Sequence, residues 1–116
     1  MKVIIAGSRN LGSWSQVTQA IHNSGFEVTE VVSGTARGVD RMGEEYARSY
    51  KIPVKQFPAD WDSYGNRAGY SRNQTMAKYA DALIAVWDGH SNGTRHMIEI
   101  MGKLGKPIYI EIFVGK

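Results

Sequence analysis

The chain has 116 residues, of which 42% are hydrophobic and 22% charged, a balance that suits one compact domain with one core. It contains no cysteine, which excludes a disulfide framework and thiolate chemistry. The net charge of +3, from 14 basic and 11 acidic residues without a basic run, fits a small anionic ligand and gives little support for nucleic acid.

Val3-Ile4-Ile5-Ala6 is a continuous apolar run, as expected of a parallel strand buried on both faces. It is far too short for a signal peptide or a membrane span, so a cytoplasmic protein without membrane attachment is expected. The run ends in Gly7-Ser8-Arg9-Asn10, a turn of glycine, hydroxyl and arginine. A helix from about Ser13 to Ser24 follows, with Trp14, Val17 and Ile21 at helical spacing and Gly25 as its stop. Val28 to Val32 is the second strand, and it delivers a second turn, Ser33-Gly34-Thr35-Ala36-Arg37-Gly38-Val39-Asp40. The helix beyond places Val39, Met42, Tyr46, Ala47 and Tyr50 on one face. Pro53 sets off the third strand, Val54 to Phe57.

Pro58 to Tyr70 reads as a long loop with three aromatics, a lid or a stacking surface for a base; Trp61 serves equally well as core filling. Ser71 is placed as the cap of a helix from Arg72 to Ala80. Ala82 to Trp87 is the fourth strand, followed by the turn Asp88-Gly89-His90-Ser91-Asn92-Gly93-Thr94 and a helix from Thr94 to Leu104. Ile108 to Phe113 is the last strand, and Glu111 marks it as a sheet edge. No repeat, linker or low-complexity tract interrupts residues 1–116, read as one domain.

Strands alternating with helices imply a three-layer α/β/α domain around a parallel sheet of about five strands. The two most uniformly apolar strands, Val3 to Ala6 and Ala82 to Trp87, belong together at its centre, which gives the order 3-2-1-4-5. Ligands of such sheets bind outside the carboxyl ends of the strands where the order reverses. The Gly7 and Gly93 turns then flank one crevice. Glycine lets a ligand approach the backbone, and a helix N-terminus offers free N–H groups to a phosphate.

Gly89-His90-Ser91-Asn92-Gly93 matches the G-x-S-x-G nucleophile elbow, which requires an acid and then a histidine later in the chain. After Ser91 the histidine is His96, no aspartate follows, and Glu99 and Glu111 come too late, so the match is fortuitous. No Walker A lysine motif and no G-x-G-x-x-G is present. His90 and His96 lack a third ligand at metal-site spacing, and neither a metal nor a cofactor is expected. Arg9 and Arg37 stand in turns at strand ends and Arg72 opens a helix, so the three are expected to share an anion site.

At these residues the chain resembles a known family. Ile4 to Arg9, Ser33 to Asp40, Pro58-Ala59-Asp60-Trp61, Arg72-Asn73-Gln74-Thr75-Met76 and Asp88 to Thr94, in that order, resemble the YspA-type, cpYpsA-related branch of the SLOG superfamily. The resemblance implies a Rossmann-like fold, a nucleotide or ADP-ribose-type ligand, a bacterial or phage setting and a homodimer. Related phosphoribohydrolases of the LONELY GUY type release a base from a nucleoside monophosphate. Arg72 and Met76 match their R-K-x-x-M stretch, with Asn73 in place of the lysine, and Gly93-Thr94 match their P-G-G-x-G-T-x-x-E turn. Met97 stands where their catalytic glutamate belongs, and Glu99, two residues on, is expected to face solvent.

The reading is therefore a sensor or sequestering protein for a small nucleotide. Gly7, Ser8 and Arg9, Gly34, Thr35, Ala36, Arg37 and Gly38, and Gly93 with Thr94 would hold phosphate. Asp40, Asp60 or Asp88 would accept hydrogen bonds from ribose hydroxyls, Trp61 or Tyr64 would stack on the base, and Arg72, Asn73 and Ser91 complete the site. Two alternatives stand beside it. One is an N-glycosidase with Arg72 orienting phosphate and a loop acid such as Asp60 replacing the missing glutamate; the other is a single-strand DNA binder.

Overall fold

The computed structural model describes residues 1–113. Five parallel strands form one sheet in the order β3-β2-β1-β4-β5, as the apolar runs imply. β1 (Lys2–Gly7) and β4 (Ala82–Trp87) are the central pair, in register from Val3 opposite Ala82 to Gly7 opposite Val86. Ile4, Ile5, Leu83 and Ile84 are fully buried. Each such side chain contributes about 1.5–3 kcal/mol of transfer free energy. β2 (Glu30–Ser33) pairs with β1, and β3 (Val54–Gln56) closes that edge. β5 (Ile108–Ile112) is the other edge, where Glu111 accepts hydrogen bonds from Asn23 and Tyr109.

Both faces of the sheet are covered, so the inner strands are apolar on both sides. α1 (Trp14–Ser24) and α2 (Val39–Ser49) pack on one face through Val17, Ile21, Val39 and Ala47. α1 owes its sharp start to a reciprocal cap, in which Ser13 Oγ accepts the Gln16 N–H and the Gln16 side chain accepts the Ser13 N–H. It stops at Gly25, whose φ of 71° is open to glycine. α4 (Ala68–Tyr79) and α5 (Asn92–Lys103) cover the other face through Met76, Ala77, Met97 and Met101. No described helix is long and apolar enough to cross a membrane.

The segment expected to be a loop is helical. Asp60 Oδ1 accepts the Ser63 N–H and opens a single turn, α3 (Trp61–Tyr64). A 3-10 turn, Gly65–Arg67, leads directly into α4, which begins three residues ahead of Ser71. Because the chain enters α4 already coiled, no side-chain cap marks its start, and Ser71 lies inside its first turn. α5 likewise starts at Asn92 rather than Thr94, β2 starts at Glu30, and β3 ends before Phe57.

After β3 the chain passes to β4 on the far side of β1, so the connections that leave β1 and β4 diverge. The crevice between their carboxyl ends is what the fold supplies for a ligand. Gly7 fixes its floor, because a Cβ there would stand 1.9 Å from the Val86 carbonyl oxygen and 2.9 Å from Val39 Cγ2.

Two helical glycines give a test with opposite signs. A Cβ on Gly43 of α2 would lie 2.9 Å from Ile5 Cγ2, whereas one on Gly102 of α5 would meet nothing within 4 Å. Alanine gains about 1 kcal/mol of helix propensity over glycine, and overpacking costs about 1–3 kcal/mol. Gly43→Ala is expected to lower the melting temperature and Gly102→Ala to raise it, by thermal denaturation monitored by circular dichroism.

Candidate functional site

A cleft of about 400 Å³ opens at the carboxyl ends of β1 and β4, within the usual range of small-molecule sites. It is walled by the ends of β1 and β4, the turn before α2 and the start of that helix, the middle of α4, and the first two turns of α5. Gly7, Arg9, Gly34, Ala36, Asp40, Arg72, Asn73, Asp88, Ser91, Gly93 and Thr94, all expected from sequence, line it. Ala6, Asn10, Met76, Asn92 and Met97 line it as well.

Arg72 is the cation that the fold holds in place. It is partly buried, and its Nη1 donates to the Gly34 carbonyl and, at 3.4 Å, to that of Phe57. Its Nε donates to Asn73 Oδ1 at 3.0 Å. Asn73 is itself buried and donates to the Gly93 carbonyl at 3.2 Å, with its Nδ2 also 3.2 Å from His96 Nδ1. The His96 ring meets Tyr70 edge-on at 4.5 Å, and burial pushes its pKa down, which favours the neutral ring. One chain of contacts thus ties the guanidinium to β3, to the turn before α2 and to the start of α5. Burial also lowers the Arg72 pKa, partly offset by the charge of Asp40. An arginine nonetheless stays protonated in proteins.

Asp40 stands across Gly34 from Arg72. A Cβ on Gly34 would fall 2.7 Å from Arg72 Nη1 and 2.8 Å from Asp40 Oδ2, so a side chain there would displace the tips of both from these positions. Asp40 is 6% exposed, and its Oδ2 accepts the Ala36 N–H at 3.2 Å. Burial pushes its pKa up to about 6, against the pull of that hydrogen bond and of Arg72.

The opposite wall rests on Asp88. Its Oδ1 accepts the N–H groups of His90 and Ser91 at 2.8 and 2.9 Å, and these two bonds hold its pKa down to about 2, with help from the Ser8 and Ser91 hydroxyls. Ser91 Oγ lies 3.0 Å from Ser8 Oγ and 3.2 Å from both Asp88 carboxylate oxygens. Ser8 Oγ accepts the Asp88 N–H at 3.0 Å. With its hydroxyl so occupied, Ser91 makes no side-chain cap on α5, and the first turn of that helix carries no acid. The helix therefore presents uncapped N–H groups and its positive end to the cleft.

Other expected residues serve elsewhere. Ser8 is buried and staples the β1 turn to the β4 turn. Gly38 abuts the first turn, because a Cβ there would meet the carbonyls of Ser8, Arg9 and Leu11 within 2.8 Å. Thr35 adopts a φ of 65°, and its N–H donates to Ser33 Oγ. Arg37 is exposed outside the cleft, so only two of the three expected arginines converge. Asp60 and Trp61 also fall outside it, because the segment that carries them coils into α3 instead of lying over the crevice. Trp61 and Tyr64 are 54% and 57% exposed. Asp60 and Tyr64 line a neighbouring depression of about 350 Å³ that shares Arg72 as a wall.

Met76 and Met97, with Ala6, give the cleft an apolar side. Met97 is 2% exposed and Glu99 faces solvent, as helical spacing requires. His90 is exposed, and the described residues contain no group of three His, Asp or Glu side chains placed to hold a metal ion. Asn10 and Asn92 are the polar lining residues that motif reasoning passed over; each adjoins a residue chosen for its type, and that adjacency was the available signal.

The raised pKa of Asp40 makes a prediction about stability. A carboxyl whose folded pKa exceeds its unfolded value penalises the fold when ionised. The penalty is complete above about pH 6 and is relieved as the pH falls toward the ordinary value of 3.8. At 1.36 kcal/mol per unit, the shift corresponds to roughly 3 kcal/mol. Asp40→Asn is expected to be more stable than wild type near neutral pH, by up to that amount. The gain should shrink to nothing between pH values of about 6 and 4 in urea titrations of both proteins.

Residues 1–64 match the family described as YspA, cpYpsA-related SLOG. The chain is 32% identical over 117 residues to the "Gene 61 protein" of Mycobacterium phage D29, a match that covers 92% of this chain and 93% of the phage protein. No solved structure matches it.

Proposed function

Because the chain belongs to the YspA, cpYpsA-related SLOG family, with a relative of its own length in a phage, we propose that it binds a small nucleotide or nucleotide-derived ligand in the cleft at the β1–β4 switch point. The observation that carries this reading is the pairing of an uncapped helix N-terminus with an immobilised guanidinium on one cleft. Both favour an anion, and neither is needed there by the sheet. Met76 and Met97 offer an apolar surface to a base or a sugar face. A role as sensor or sequestering protein fits a cleft that holds an anion without an acid at the position of Met97.

The hydrolase reading retains one observation in its favour. Asp40 is a cleft carboxyl raised to about 6, within reach of general acid–base work. Cleavage of an N-glycosidic bond builds positive charge on the ribose, and Met97 stabilises none of it. Asp60, outside the cleft, is replaced by Asp40 as the acid to test. The single-strand DNA reading gains nothing from the cleft itself, whose lining among the described residues includes no aromatic side chain.

Calorimetric titration with AMP, ADP-ribose and cyclic and dinucleotides tests the proposal, with binding of at least one at micromolar affinity expected. Arg72→Lys keeps the charge and loses the fork. It is expected to weaken binding by about 1.5–3 kcal/mol, the contribution of hydrogen bonds to a charged group. The absence of heat and of a thermal shift with every compound would overturn the reading.

Free adenine released from AMP, followed chromatographically, is expected to stay at background for the wild type. Release above background that vanishes in Asp40→Asn would instead establish the hydrolase.

A further inference from the structure

Asp40 is buried at a cost, and the fold makes little use of it. Its Oδ2 accepts the Ala36 N–H, and among the described residues no protein donor reaches its Oδ1. No buried side-chain oxygen of the described residues is sealed off without a partner. Asp40 also lines the cleft, so Oδ1 opens into it. A carboxylate oxygen so placed waits for a hydrogen-bond donor from the ligand.

The surroundings restrict what that donor is. Arg72, just across Gly34, and the N-terminus of α5 both select an anion. A carboxylate beside them repels a phosphate oxygen and accepts from a neutral donor carried close to the phosphate. Of the acids expected to receive such a donor, Asp88 spends its Oδ1 on two backbone N–H groups and has the Ser91 hydroxyl 3.2 Å from its Oδ2, and Asp60 caps α3 outside the cleft. Asp40 alone of the three keeps an oxygen facing the cleft without a protein donor.

We infer that Asp40 reads a sugar hydroxyl, so that the cleft selects ribose phosphates over their deoxy counterparts. The inference rests on the nucleotide-binding reading and narrows it to ligands with a free ribose hydroxyl near the phosphate. A ribonucleotide and a free pentose phosphate share this chemistry. Loss of the hydroxyl leaves a buried carboxylate without its partner, which is the situation in which hydrogen-bonding sites discriminate most strongly.

The test is calorimetric titration of the full chain with AMP, 2′-deoxy-AMP, 3′-deoxy-AMP and ribose 5-phosphate, repeated on Asp40→Asn. Wild type is expected to bind AMP at least about tenfold more tightly than one of the two deoxynucleotides. Asp40→Asn is expected to bind AMP more weakly and to lose most of that ratio, with its melting temperature showing that it remains folded. Binding of ribose 5-phosphate identifies the sugar phosphate as sufficient; its absence shows that the base is needed too, and either result is compatible with the inference. Equal binding of AMP and both deoxynucleotides overturns the inference and leaves nucleotide binding standing. A ratio unchanged in Asp40→Asn overturns the assignment to this residue. No binding of any of the four compounds overturns the inference, whereas the nucleotide reading falls only if the wider screen is empty as well.

Discussion

The guanidinium of Arg72 is the contact on which the cleft depends. It originates in α4, yet its hydrogen bonds go to the carbonyls of Gly34 and Phe57, at the ends of β2 and β3, and to the side chain of Asn73. Through Asn73 it reaches the Gly93 carbonyl and His96 on α5. Elements that the sheet alone would leave independent thus share one fixed charge. A guanidinium does this where an ammonium could not, because its planar fork satisfies several acceptors in one geometry. Gly34 is the complementary requirement, since any Cβ there would collide with both Arg72 and Asp40.

The same arrangement has a cost. Arg72 and Asp40 are both drawn out of water, and each moves toward its neutral form for that reason. Yet among the described residues the two form no close ion pair, whereas Arg48 and Glu45 pair at 3.2 Å on the surface. Left apart across a glycine, the two charges hold a space between unlike groups, which suits a ligand that presents an anion to one and a hydroxyl to the other. Asp88 shows the contrasting case. Its charge is absorbed by two backbone N–H groups, so it shapes the β4 turn and stays ionised.

Much of this was legible in the sequence. The runs Val3 to Ala6 and Ala82 to Trp87 announced the central strands because a doubly covered parallel strand has no polar face to show. From those two runs the strand order followed. The stretch from Pro58 to Tyr70 was not legible, because Pro58, Gly65 and Gly69 punctuate it like a loop and α4 begins without a capping residue. Its one local signal is Asp60, whose sequence position suits an N-cap and a ligand-facing acid equally well. The three aspartates also looked alike in sequence. Asp40, Asp60 and Asp88 each stand in a turn, and only burial and backbone donors separate a raised carboxyl in the cleft from a helix cap and from a turn staple.

The family match bears on the two halves of the cleft unequally. It covers residues 1–64, which include the Gly7 turn, Gly34 and Asp40. Arg72, Asn73 and the N-terminus of α5 lie beyond it, within the longer stretch aligned with the phage protein. The half that carries the Asp40 carboxylate therefore belongs to the matched segment, and the half that carries the Arg72 guanidinium lies outside it. That division explains why membership of the family fixes the fold and leaves the ligand open. The two halves meet across Gly34, and the residue that makes them meet, Arg72, is one the family match does not reach.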